Sequence, residues 1–173
     1  MTMEKEERMF DATDVQKAVR NAIETEKNAM NFYELGARLM KDPDARRVFE
    51  LLAGEERGHA GHFFKAYDGS DIDSFDDFMA TPPEHESEWL SAMARTIDEG
   101  FSEQKAMELA LEKEEKLEKT LRATAERIAN QDVRAVFELN ARETHNHYEV
   151  IESEYARVMA MVHESDMDIY VRE

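Results

Sequence analysis

The chain has no cysteine. Disulfides, zinc ribbons and thiolate-held iron centres are therefore excluded from it. Glycine and proline are scarce, 6 and 3 in 173 residues, which disfavours an all-β fold and favours helices. No stretch approaches the ~20 consecutive apolar residues of a membrane span. The first residues, Met1-Thr2-Met3-Glu4-Lys5-Glu6-Glu7-Arg8, lack the basic start and apolar run of a secretory leader. Basic residues are also in deficit: 22 Lys and Arg face 40 Asp and Glu, for a formal charge of -18. That balance argues against a nucleic-acid partner, whose phosphates need basic side chains. It is compatible with attracting cations, although solubility alone accounts for an acidic surface. The reading is a single cytoplasmic domain over residues 1–173, long enough for a sizeable core, with neither nucleic acid nor membrane as a partner.

What the chain does have is a repeat. Val48-Phe49-Glu50-Leu51 returns as Val136-Phe137-Glu138-Leu139, an offset of 88 residues. At the same offset Ala22, Glu26, Asp44, Ala53, Glu55 and His59 match Ala110, Glu114, Asp132, Ala141, Glu143 and His147. A fixed offset held over more than forty positions implies two copies of one structural unit.

Each unit reads as a helical hairpin. Val15, Val19, Ala22/Ile23, Ala29/Met30, Tyr33, Ala37 and Met40 recur at steps of three and four, the buried stripe of a helix capped by Thr13 or Asp14. Asp42-Pro43-Asp44 stops it and starts a second helix carrying Phe49, Leu52/Ala53, Ala60 and Phe63. The second unit repeats this with Ala106, Ala110, Leu117, Leu121 and Ala125, then Phe137, Ala141 and Ile151. Repeat one runs from about residue 12 to 68 and repeat two from about 101 to 162, followed by an acidic tail over 163–173. Between them, about 69–100, lies a long crossover with one short amphipathic helix from Trp89 to Ile97, ended near Gly100. Two hairpins with one long crossover form an all-α four-helix bundle.

Ionisable residues interrupt the buried stripes at matched places. Glu56 and His59, three apart, project from one side of a helix and can approach one metal ion. Glu26 supplies a second carboxylate one helix away, and the repeat brings Glu114 and His147 from the other side. Carboxylates and imidazoles without thiolates suit iron or manganese. One Glu on each of two helices, plus Glu-x-x-His on the others, is the ligand pattern of bundles that hold two metal ions. Here that pattern is incomplete, because Thr144 stands where the second Glu-x-x-His requires glutamate. Glu143, the neighbour, is a conditional sixth ligand. A helix turns about 100° per residue, which puts Glu143 at the margin of the stripe. Its repeat mate Glu55 suggests instead an outer or surface role for both. Asn140 in place of Leu52 makes the second half more polar. Glu24, Glu112, His62, His85 and His145 lie off the stripe or in connections, and read as solvated or structural, while His163, near the tail, is uninformative.

The strings Ala22-Ile23-Glu24-Thr25-Glu26-Lys27-Asn28-Ala29-Met30-Asn31-Phe32-Tyr33 and Leu52-Ala53-Gly54-Glu55-Glu56-Arg57-Gly58-His59 resemble the rubrerythrin branch of the ferritin-like superfamily. The resemblance covers roughly Ala12 to Val162. It implies a ferritin-like bundle with two iron ions, manganese being the alternative, that reduces hydrogen peroxide or uses dioxygen to oxidise ferrous iron. It makes Glu26, Glu56, His59, Glu114 and His147 metal ligands, and Tyr33 a catalytic neighbour hydrogen-bonded to them. Three departures stand out: Thr144 replaces a ligand, Leu117 stands where such proteins carry a further glutamate, and Leu121 occupies the repeat position of Tyr33. With no cysteine for an electron-transfer iron site, the resemblance is to stand-alone members. It implies an external donor such as a rubredoxin-like protein, and a homodimer or higher homo-oligomer. Two other functions remain open: a non-catalytic iron-handling or metal-sensing bundle, and a metal-free bundle serving assembly.

Overall fold

The computed structural model describes the backbone of residues 8–171 and the side chains of residues 8–161, and among these described residues it has six helices. Helix α1 spans Ala12–Leu39 and α2 spans Pro43–Lys65. The cap of α1 is Asp11, two or three residues earlier than the expected Thr13 or Asp14. The Asp11 carboxylate accepts from the Asp14 N–H at 2.8 Å, and Asp14 reaches back to the Asp11 N–H at 3.4 Å. This reciprocal box satisfies two N–H groups that the helix leaves free, which is why Asp14 lies inside the helix. Asp42 then accepts from the N–H groups of Asp44 and Ala45, with Pro43 at the first helical position. The short link makes α1 and α2 an antiparallel hairpin. At Gly36 a Cβ would fall 2.7 Å from the Phe49 ring, so only glycine allows this closeness.

The crossover holds two short helices where one was expected: α3 at Phe75–Met79 and α4 at Glu88–Asp98. Five residues are too few for α3 to show a periodicity. Gly100, with φ of 92°, turns the chain out of α4 as expected. Helix α5, Glu103–Glu126, starts after its cap Ser102, and α6 runs from Gln131 to Val171. The backbone of the acidic segment beyond His163 is thus helical up to Val171. The chain start, expected to carry no leader, and residues 172–173 lie outside the described residues. Among the described residues no helix is long and apolar enough to cross a membrane.

Helix α1 packs on α2 and α5 on α6, while the two hairpins meet through α2 and α6. Helix α4 lies against both α1 and α5. Its Trp89 joins Phe32, Tyr33 and Phe49 in an aromatic cluster, with Phe32 5.2 Å from Trp89 and Tyr33 5.0 Å from Phe49. Each fully buried ring contributes about 1.5–3 kcal/mol relative to exposure. The crossover therefore covers a second side of α1, where Phe32, Lys27 and Asn31 are buried although they lie off the expected stripe. Lys27 Nζ donates to Asn31 Oδ1 at 3.1 Å and to the Pro82 carbonyl at 3.4 Å, so the buried ammonium is satisfied from the crossover.

Candidate metal centre

Four long helices each bring a charged side chain to the middle of the bundle. Glu26 from α1, Glu56 from α2 and Glu114 from α5 are 0% exposed, and His59 and His147, from α2 and α6, are 2% exposed. Glu56 lies between the imidazoles: its Oε1 is 2.8 Å from His147 Nδ1 and its Oε2 is 3.4 Å from His59 Nδ1. Glu26 approaches His59 Nδ1 at 3.7 Å, and Glu114 approaches His147 Nδ1 at 3.7 Å. One possible ligand atom from each of Glu56, His59 and His147 lies within 4.8 Å of the others. The two rings stack with centroids 4.9 Å apart and planes 9° from parallel. The repeat seen in the sequence thus becomes a near-symmetric pair of half-sites, Glu26 with His59 and Glu114 with His147, joined by Glu56.

Many of these atoms lack partners. Both oxygens of Glu26, Oε2 of Glu56, Oε2 of Glu114 and Nδ1 of His59 are buried without a hydrogen bond. Unmet buried groups of this kind typically cost about 1–3 kcal/mol each, and more when charged. They are four carboxylate oxygens and an imidazole nitrogen, which is the donor chemistry of a hard or borderline divalent cation. The residues present therefore fit a metal.

The electrostatics carry the same signature of charge gathered away from water. Burial, with repulsion from Glu56, pushes the Glu26 pKa up to about 8. Burial alone would lower the pKa of His59, but Glu26 and Glu56 beside it raise it to about 11. His147 is raised likewise against its own burial, to about 10, by Glu114 and Glu56. Burial and Glu114 push Glu56 up, and the neighbouring Glu26 carboxyl with the His147 and His59 imidazoles brings it below its ordinary value. Tyr33, wholly buried, donates from its hydroxyl to Glu114 Oε1 at 2.5 Å. Burial and the Glu114 charge hold its phenol well above its ordinary pKa.

The outer edge of each imidazole meets a carboxylate from the opposite hairpin. Glu143 Oε2 lies 2.7 Å from His59 Nε2, and Glu55 Oε2 lies 2.5 Å from His147 Nε2. Glu143 thus stands across the His59 ring from the three inner carboxylates, because its helical angle turns it off the inner stripe. Thr144 is on that stripe and 0% exposed, with its hydroxyl donating to the Asn140 carbonyl at 2.7 Å. The exchange of Glu55 and Glu143 between hairpins could not be read from the sequence, whose one signal for it was their shared offset. His62, half-buried, sits 3.3 Å from Asn140 Oδ1. His145 is half-exposed beside Glu118 at 2.8 Å, and His85 is exposed; neither reaches the centre. The His163 side chain lies outside the described residues.

A model of the family described as Rubrerythrin matches residues 17–155, which takes in most of both hairpins and every residue of the centre. No curated protein and no solved structure matches the chain significantly.

Proposed function

We propose, from the premise that this chain belongs to the rubrerythrin family of ferritin-like proteins, that its buried centre holds two metal ions and reduces hydrogen peroxide. The observation that carries this reading is the set of unpartnered buried atoms on Glu26, Glu56, Glu114 and His59. Cations give those atoms partners and offset three carboxylates in a medium that screens charge poorly. Glu26 and His59 would hold one ion, Glu114 and His147 the other, and Glu56 would lie between them. Iron fits this donor set, and manganese is the alternative. When bound, a metal pair supplies the electrons that a two-electron reduction of an O–O bond requires.

The chain's own residues then have separate tasks. Glu143 and Glu55 hold the outer nitrogens of His59 and His147, which fixes each ring with Nδ1 facing inward. Glu143 is accordingly an orienting group and not the sixth ligand. Tyr33 fixes one oxygen of Glu114 with a hydrogen bond. The aromatic cluster around Tyr33 excludes water from that side. Because the chain contains no cysteine, electrons come from an external redox protein, of which a rubredoxin-like donor is one kind. Leu51, Leu139 and Val150, exposed on α2 and α6, offer an apolar surface for a homo-oligomer, and the setting we expect is cytoplasmic.

Two variants of this reading share the centre. Ferrous iron oxidised by dioxygen would use the same ligands. A non-catalytic iron-handling role is favoured by one observation, Thr144, which leaves the centre with three carboxylates. Mixing ferrous-loaded protein with hydrogen peroxide separates them. The peroxidase reading expects oxidation of the centre at a rate far above that of free ferrous ion, and repeated turnover with a reductant. A loaded protein that is inert to peroxide contradicts it, and one that reacts with dioxygen alone favours the ferroxidase.

A further inference from the structure

A cavity of about 330 Å³ lies between α1, α4 and α5 and reaches Glu26. Ala18 and Ala22 line it from α1, Leu117 and Leu121 from α5, Trp89 from α4 and Phe137 from α6. Its rim carries Thr25, Thr120 and Thr124. At one end Glu88 receives hydrogen bonds from Lys113 at 3.0 Å and Lys116 at 2.5 Å. Those two ammonium groups already share an anion, so the cavity does not call for an acidic ligand. A second crevice of about 350 Å³, lined by Glu55, His59, Glu143, Asn146, His147 and Val150, opens on the opposite, outer side of the imidazoles.

The buried walls of the cavity at Glu26 are mainly apolar, through Ala22, Trp89, Leu117, Leu121 and Phe137, and its mouth is polar, through Asn21, Thr25, Glu88, Lys116, Thr120 and Thr124. The cavity is much larger than hydrogen peroxide needs, since a water-sized molecule takes only about 30 Å³. At its inner end stands Glu26, buried, with neither oxygen hydrogen-bonded. The walls suit hydrocarbon, and the inner end suits a polar head.

We infer that this cavity receives the carbon tail of an organic hydroperoxide, whose O–O group lies at Glu26 beside the centre. The inference rests on the peroxidase reading and names its substrate class. The reaction is ROOH plus two electrons and two protons giving ROH and water. The O–O bond breaks, each oxygen takes one proton, and both electrons originate in the external redox protein. Leu117 and Leu121 are what make it possible: they put aliphatic carbon on the α5 wall, next to the half-site that Glu26 serves.

Trp89 is the only tryptophan in the chain and lines the cavity, so its fluorescence reports occupancy. The probe is cumyl alcohol, the product expected from cumene hydroperoxide, titrated into protein with and without metal. A saturable change in Trp89 emission is expected in both, and it should be lost in Ala22→Leu and in Thr124→Phe. The second variant plugs the half-buried rim, in case the first fails to fold. With ferrous-loaded protein and a chemical reductant, Ala22→Leu should lower kcat/KM for cumene hydroperoxide at least tenfold more than for hydrogen peroxide. No saturable emission change, or equal losses on both peroxides, overturns the inference while leaving the peroxidase reading intact. Alcohol binding without turnover of either peroxide overturns the peroxidase reading, and the hydroperoxide assignment with it.

Discussion

Replacing Glu26 with glutamine should stabilise the metal-free protein at alkaline pH. Glu26 is 0% exposed, its two oxygens lack partners, and its pKa stands at about 8 against an ordinary 4.5. A folded-state pKa above the unfolded value means that the folded chain prefers the protonated acid. The associated stability is present below about pH 4.5 and is lost as pH rises through 8. Each tenfold change in proton affinity is worth about 1.4 kcal/mol, so the full loss has a ceiling of about 5 kcal/mol. Glu56 shares the local proton, which reduces the recoverable part to about 2–4 kcal/mol. Glutamine keeps the shape of the protonated acid without its charge. In a chain of this length about 1 kcal/mol moves Tm by about 2–4 °C, so Glu26→Gln should melt about 5–15 °C higher than wild type at pH 9 in chelator. At pH 5 wild-type Glu26 is already protonated, and the two should agree within about 1 kcal/mol. The assay is thermal unfolding followed by circular dichroism at both pH values. Equal melting at pH 9, or the same gain at both pH values, would refute the argument that an ionised, unpartnered Glu26 strains the empty centre.

Further outcomes follow from the same geometry. Metal binding should tighten with rising pH between 6 and 8, because an ion at the inner edge displaces protons from His59, His147 and Glu26, whose pKa values are about 11, 10 and 8; each displaced proton contributes about tenfold per pH unit. Calorimetry in buffers of different ionisation enthalpy should register that proton release, and pH-independent binding would contradict it. Tyr33→Phe leaves Glu114 Oε1 without its donor, and should destabilise the metal-free protein by about 1–3 kcal/mol in urea unfolding while leaving metal stoichiometry unchanged. Glu143→Gln should weaken metal binding by about 10–100-fold without removing an equivalent, as expected when the orienting partner of a ligand histidine is lost. Loss of a whole equivalent in that variant would make Glu143 a ligand after all.

Much of this arrangement was legible in the sequence because two periodicities agreed. The helical stripe predicts which face of α1 and α2 is buried, and the 88-residue offset predicts that the same faces recur in α5 and α6. Glu26, Glu56, His59, Glu114 and His147 break the stripes at matched positions, and in the structure those breaks meet. What stayed hidden depends on contacts between elements that share no period. Phe32, Lys27 and Asn31 are buried because the crossover lies over them, and a crossover leaves no mark on the helix it covers. The partnership of Glu143 with His59 joins α6 to α2 and needs the angle between the hairpins, which a single helix does not encode. The cavity at Glu26 arises from the spacing of α1 and α5 with α4 set against both and Phe137 of α6 in its wall, a property of four helices together. The Asp11 cap differed from expectation for a local reason, since Asp14 serves the same box from inside the helix.

The central claim is that five buried side chains form one metal centre with Glu56 between two half-sites. The most direct test is the metal content of protein purified without chelator and reloaded with ferrous iron, for wild type and for Glu56→Ala. The account predicts up to two ions per chain in wild type. It predicts their loss in Glu56→Ala, because that one carboxylate faces both His59 and His147. A folded Glu56→Ala protein that keeps the wild-type metal content would contradict it.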